Sequence, residues 1–202
     1  PGTPTAGDRA LIEPQLLAFE QRLYGAAFTD PDTGYAADVD VRSVIDWYLV
    51  MELSKNNDSA FSFSVYIYRT ATGKIAFGPV WDFDLAFGNY PYDGGPEGWK
   101  LKDAGWMERF FADPAFVAQL KARWLVLKGQ RAQIDTFLRD YTAALQRSQQ
   151  RTHALWFPYQ PRPGLIAGDG FGSFVGPVLG GRSPLFTDAD YAAEVQGVRN
   201  WI

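Results

Sequence analysis

Gly73-Lys74-Ile75-Ala76-Phe77-Gly78-Pro79-Val80-Trp81-Asp82-Phe83-Asp84-Leu85-Ala86-Phe87-Gly88-Asn89 is the stretch on which the fold of this chain turns. It opens as a short apolar strand, delivers two carboxylates one residue apart, and turns through glycine. Ile75, Phe77, Val80 and the aromatics around them bury well, so Asp82 and Asp84 emerge from a mostly apolar setting. Ionised groups are costly there unless something positive meets them. Two chemistries fit. The pair can be turn aspartates that accept bonds from nearby backbone N–H groups. It can also hold a hard divalent cation such as Mg²⁺, which takes one or two carboxylates together with substrate phosphates.

Just upstream, Phe61, Phe63, Val65 and Ile67 alternate with Ser62, Ser64, Tyr66 and Tyr68, which predicts a strand over Ser62–Arg69. Thr70-Ala71-Thr72-Gly73 makes a Gly-containing hairpin turn into a second strand, Lys74–Trp81. Closing that hairpin would bring Asp58, before the first strand, close to Asp82, after the second. Further upstream, Asp40 is the expected N-cap of a helix from Val41 to about Lys55, apolar on most sides. The polar run Ser54-Lys55-Asn56-Asn57-Asp58-Ser59 ends it.

At the N-terminal end, residues 1–8 read as a lead-in. Asp8 is the expected cap of a first helix with Leu11, Ile12, Leu16, Leu17, Phe19 and Leu23 on its apolar face. Asp30-Pro31-Asp32-Thr33-Gly34 is a turn. Beyond the central stretch, residues 90–99 form an aromatic loop able to rim a site. A short helix is expected over Trp106–Phe111. Asp113-Pro114 starts another to about Lys128, with Val117, Leu120, Trp124 and Leu127 inward. After Gly129, Ile134, Phe137, Leu138, Tyr141 and Leu145 give a stripe read as core. Residues 158–185, rich in Gly and Pro, form a surface excursion. Thr187 caps a last helix with Tyr191, Val195, Val198 and Ile202 on one side. The order is helices, a β-hairpin, then helices: an α+β fold, mostly helical.

Composition narrows the function. With 202 residues, seven Trp, ten Tyr and fifteen Phe, the chain can bury a sizeable core as one domain. A net charge of −4 argues against a nucleic-acid surface, and no apolar run reaches the length of a bilayer span. The absence of cysteine excludes disulfides, thiol catalysis and cysteine-based zinc sites. Neither end shows a start or stop signal, so the chain reads as a piece of a longer one.

Glu52-Leu53-Ser54-Lys55-Asn56-Asn57-Asp58, Tyr66-Ile67-Tyr68-Arg69 and Gly78-Pro79-Val80-Trp81-Asp82-Phe83-Asp84-Leu85-Ala86-Phe87-Gly88-Asn89, extending to Gly98-Trp99 and more weakly through the following helices to Glu194-Val195 and Trp201, resemble the spore coat protein H (CotH) kinase family. The resemblance covers roughly residues 38–155. It implies the C-terminal lobe of an atypical protein-kinase-like fold, with the hairpin packed centrally on helices, that transfers a phosphoryl group from ATP to protein serines. Asp58 then takes the place of the catalytic aspartate that accepts the hydroxyl proton. Asp82 holds the metal, Mg²⁺ or Mn²⁺, and Asp84 assists it or shapes the turn to Gly88. Ser64 stands where the family often carries a metal-binding Asn, and departs from that pattern. The glycine-rich loop and lysine of the nucleotide-covering lobe would precede residue 38. Residues 1–37 contain no lysine, so the N-terminal lobe is expected upstream in the same parent chain. An extracellular or cell-envelope setting in a bacterium goes with the family.

The supporting residues have ordinary readings beside these roles. Lys55 can contact phosphate or be a solvated helix-end lysine. Asn57 can orient Asp58 or terminate the helix in a left-handed conformation. Glu52 is a core acid for which Lys55 or Arg69 could be partners. His153, the single histidine, reads as surface. Trp99 and Trp106 line a pocket or belong to the core. Two other functions fit the residues: a catalytically silent surface module gripping a protein or polysaccharide with the 90–99 loop, and a glycoside hydrolase pairing Asp58 with Asp82 or Asp84.

Overall fold

A computed structural model of the chain describes residues 5–61, 63–69, 73–88, 95–156 and 188–202. Its helices are α1 (Ala6–Leu23), α2 (Val41–Ser54), α3 (Met107–Phe111), α4 (Pro114–Lys128), α5 (Arg131–Trp156) and α6 (Asp188–Trp201). Short 3₁₀ turns cover Tyr35–Ala37 and Asn57–Ser59. Two strands, β1 (Ile67–Tyr68) and β2 (Ala76–Phe77), pair antiparallel with Ile67 opposite Phe77 and Tyr68 opposite Ala76. The chain is thus mostly helical with a small antiparallel sheet, as expected of an α+β fold. Among the described residues no helix is long and apolar enough to cross a membrane.

These residues form two compact units. The first comprises 1–52, 58–81 and 99–124; the second comprises 53–57, 82–98 and 125–202.

The first unit is built on aromatic packing. Phe110, fully buried, sits among Phe19, Tyr35 and Phe116 at ring separations of 6.3, 5.0 and 5.3 Å. Phe77 of β2 packs against Trp47 of α2 at 5.3 Å and Trp106 at 6.1 Å, which seats the hairpin on helix. Burying aromatics of this size dominates the energetics of a small core. Asp40 caps α2 as its sequence predicts, accepting the N–H groups of Arg42 and Ser43. The cap of α1 is Thr5, three residues before the expected Asp8. Asp8 is instead the third helical residue of a capping box, returning a bond to the Thr5 N–H. The far end of α1 is closed by Arg109, which donates to the carbonyls of Leu23 and Gly25 and lies over the Phe28 ring.

The hairpin is shorter than its alternation suggests. Phe61 and Ser64 adopt left-handed backbone angles (φ 59° and 53°), which no strand tolerates, so pairing starts only after them. At the other strand Gly78 still donates to the Tyr66 carbonyl, but Pro79 has no N–H to extend the ladder. On its outer side β2 is steadied by Ile75, whose N–H and carbonyl bond Asp38 and Asp40.

In the second unit α6 packs on α5, and Arg199 meets Asp135 at 2.6 Å. Tyr191, Val195, Val198 and Ile202 are half-buried along one side of α6, as their spacing predicts. The Thr187 cap and the 158–185 excursion lie outside the described residues. The α5 stripe is a correction. Ile134 and Leu138 are half-buried, but Phe137 and Tyr141 are 60% and 55% exposed and stack on each other at 5.3 Å. In α4 Phe116 and Leu120 are buried and Val117 and Leu127 half-buried, while Trp124 is exposed.

Candidate active site

Every residue from Leu53 to Asn57 makes one tie to another part of the second unit. The Leu53 carbonyl accepts the indole N–H of Trp201 at 2.8 Å. The Ser54 carbonyl accepts the Phe87 N–H at 2.7 Å. The Lys55 ammonium donates to the Gly98 carbonyl at 2.6 Å. The Asn56 side-chain amide donates to the Asp82 carbonyl at 2.6 Å, and the Asn57 N–H reaches the Leu85 carbonyl at 3.3 Å. The end of a helix leaves carbonyls without intrahelical partners. Here the Ser54 carbonyl anchors residues 82–88 directly, and the Leu53 carbonyl takes the Trp201 indole N–H.

On that anchored segment stand the two carboxylates. Asp82 adopts φ 62°, a left-handed conformation uncommon for a residue with a side chain, and its carbonyl is held by the fully buried Asn56. Leu85 and Ala86 are buried behind the turn. Carboxylate oxygens of Asp82 and Asp84 lie within 4.8 Å of each other. Partial burial pushes the Asp84 carboxyl above the usual aspartate range. The Asp82 charge and a hydrogen bond with Asp82 push it the same way. Two anions held this close by backbone bonds suit a divalent cation, which would relieve their repulsion through oxygen ligands.

The remaining predicted residues fall as follows. Asp58 lies half-buried in the 3₁₀ turn, directly after Asn57, and its carbonyl accepts the Phe63 N–H at 3.3 Å. Ser64 lines an apolar groove of about 400 Å³ with Phe61, Phe63, Val65, Ile67 and Trp106. Glu52 is 6% exposed and accepts the backbone N–H groups of Lys100 and Leu101 at 2.9 and 2.7 Å, so it is a partnered core acid. Arg69 donates to the Gly73 carbonyl across the hairpin turn.

Lys55, expected as a solvated helix-end lysine in its ordinary reading, is only 6% exposed. It also takes the left-handed backbone angle (φ 50°) that Asn57 was expected to supply. Trp106 belongs to the core, with its indole N–H on Glu20, while Trp99 is 67% exposed.

Two residues gain a place at the site that the sequence does not give them. Asn56 sat in a run legible only as a helix stop. Trp201 meets its partner across 148 positions, a distance over which local pattern carries no signal.

These features define a helix-rich α+β protein carrying a carboxylate pair on a braced turn. The CotH kinase protein family model matches residues 13–202, and the chain belongs to that family. No curated protein and no solved structure matches it.

Proposed function

We propose that this chain carries the catalytic carboxylates of a CotH-type protein kinase, which transfers the γ-phosphoryl group of ATP to a protein serine. The observation that carries the reading is the Asp82–Asp84 pair, held within 4.8 Å on a turn fixed through backbone carbonyls. Membership of the family supplies the reaction class. Asp82 and Asp84 are the ligands for Mg²⁺ or Mn²⁺. Asp58 is the base that takes the serine proton as the hydroxyl oxygen attacks phosphorus and ADP leaves. The resemblance of Asn56-Asn57-Asp58 to the family's catalytic segment supports that role.

A divalent cation, when bound, supplies charge neutralisation at the phosphate oxygens, and the protein's part is mainly to position the reacting groups. Lys55, with its ammonium on Gly98, supports the loop around residue 98 in this scheme. Ser64 is a neutral ligand or nucleotide contact.

The test is transfer of labelled γ-phosphate from ATP to a serine-containing acceptor with and without Mg²⁺ or Mn²⁺. Asp58→Asn is expected to lower the rate about 10²–10⁴-fold, the usual contribution of a general base. Asp82→Asn is expected to abolish metal dependence together with activity. Metal-independent transfer that survives both substitutions would end the proposal.

One observation favours a second reading. Trp99 is 67% exposed, and Trp81, 56% exposed, meets Tyr66 edge-on at 6.3 Å: exposed aromatics of the kind a binding module uses. Retention of a surface partner by Asp82→Ala, with no transfer by the parent chain, would select that alternative.

A further inference from the structure

Trp201 stands at the end of α6, and its indole makes three contacts around the acidic turn. Its N–H donates to the Leu53 carbonyl at 2.8 Å. Its ring meets Phe87 edge-on at 6.3 Å. It also closes over Gly88, where an added Cβ would come within 2.9 Å of a ring carbon. Phe87 and Gly88 end the segment that bears Asp82 and Asp84, and Leu53 begins the strip that anchors it. The side chain therefore touches both the braced segment and its brace. The last turn of α6 is itself fixed by the Arg199–Asp135 pair to α5.

We propose that Trp201 is a positioning residue for the Asp82–Asp84 turn: α6 acts as a strut whose terminal indole sets the spacing of the two carboxylates. Trp201 contacts neither carboxylate, so it acts through Phe87, Gly88 and Leu53. This rests on the reading of Asp82 and Asp84 as metal ligands. Partners that orient ligands from behind are costly to lose: their removal weakens metal binding by roughly 10–100-fold.

Trp201→Phe keeps a ring and removes the donor. Binding of Mn²⁺, followed by the loss of the free-ion electron paramagnetic resonance signal, is expected to weaken in it by roughly 10–100-fold. Amide exchange at Phe87, whose N–H is held by Ser54, is expected to accelerate. Val195→Ala, which loosens α6 on its half-buried side without reaching the turn, is the control. It should lower the melting temperature and leave Mn²⁺ affinity unchanged.

If Trp201→Phe folds and binds Mn²⁺ as the parent does, the strut is refuted; equal weakening by Val195→Ala refutes it too. Should Trp201→Phe fail to fold, the parent decides by NMR. The Trp201 indole N–H resonance must shift on adding Mg²⁺ while that of Trp47 stays, and an unmoved Trp201 resonance overturns the proposal. A parent that binds no Mn²⁺ removes the metal role of the aspartates, whereas faster Phe87 exchange in Trp201→Phe would still establish the strut.

Discussion

At Gly88 the backbone takes φ 77° with the Trp201 ring lying where a Cβ would project. Gly88→Ala therefore combines left-handed strain with a collision against an aromatic ring. It is expected to cost about 1–3 kcal/mol, read by urea denaturation. Tyr35 poses a different single-residue question. Its hydroxyl donates to Asp113 at 2.6 Å in the core, and burial pushes the phenol far above its usual range, with the Asp113 bond and charge adding to it. Asp113 also accepts the Ala115 N–H, so one oxygen keeps a partner when the phenol is removed. Tyr35→Phe is expected to cost about 1.5–3 kcal/mol, the range for a bond to a charged group, again by urea denaturation. Asp82 and Asp84 could be singled out from sequence because two acids in an apolar run need an explanation. Asn56 could not, since a polar residue at a helix end has an ordinary reading already.

Elements were legible where one local pattern sufficed. Asp40 and Asp113-Pro114 announce α2 and α4 because caps and N1 proline act within a single turn. The two strands pair antiparallel as their alternation predicts, though they are shorter than it suggests, and the turn residues 70–72 lie outside the described residues. Alternation of side chains cannot reveal that Phe61 and Ser64 leave the extended region. On α5, two adjacent faces both look apolar, and the one bearing Ile134 and Leu138 is half-buried while the one bearing Phe137 and Tyr141 is exposed. Helical period shows that a face exists, not which face a partner takes. The energetic consequence can be checked. Phe110→Ala, in the aromatic core, is expected to destabilise by about 3–5 kcal/mol. Phe137→Ser, on the exposed face of α5, should stay within about 0.5 kcal/mol of the parent, both by thermal or urea unfolding.

Over the whole molecule, acid sensitivity follows from the carboxylates taken together. Bonds from Thr5, Thr33 and Arg199 hold Asp8, Asp30 and Asp135 below the usual range. At Asp46 partial burial acts upward and is outweighed by Arg123 and Arg42. A depressed native pKa means that the unfolded chain binds more protons, so the stabilisation is present above the unfolded value near 3.8 and is lost as pH falls through the native values. Asp84 runs the other way and offsets part of this. Unfolding midpoints in urea are therefore expected to drop between pH 5 and pH 3. Asp46→Asn should flatten the drop, and a midpoint that rises on acidification would contradict the assignment.

The amino-acid sequence by itself determined the helical content, the α2 and α4 starts, the antiparallel ribbon and the acidic turn that points to the family. Each of these depends on residues a few positions apart, where propensity, capping and period act directly. Only the tertiary structure decided that Lys55 is buried, that Asn56 grips Asp82, and that Trp201 braces the turn. Those are bonds between distant segments, and no local rule selects among the partners that folding brings into reach.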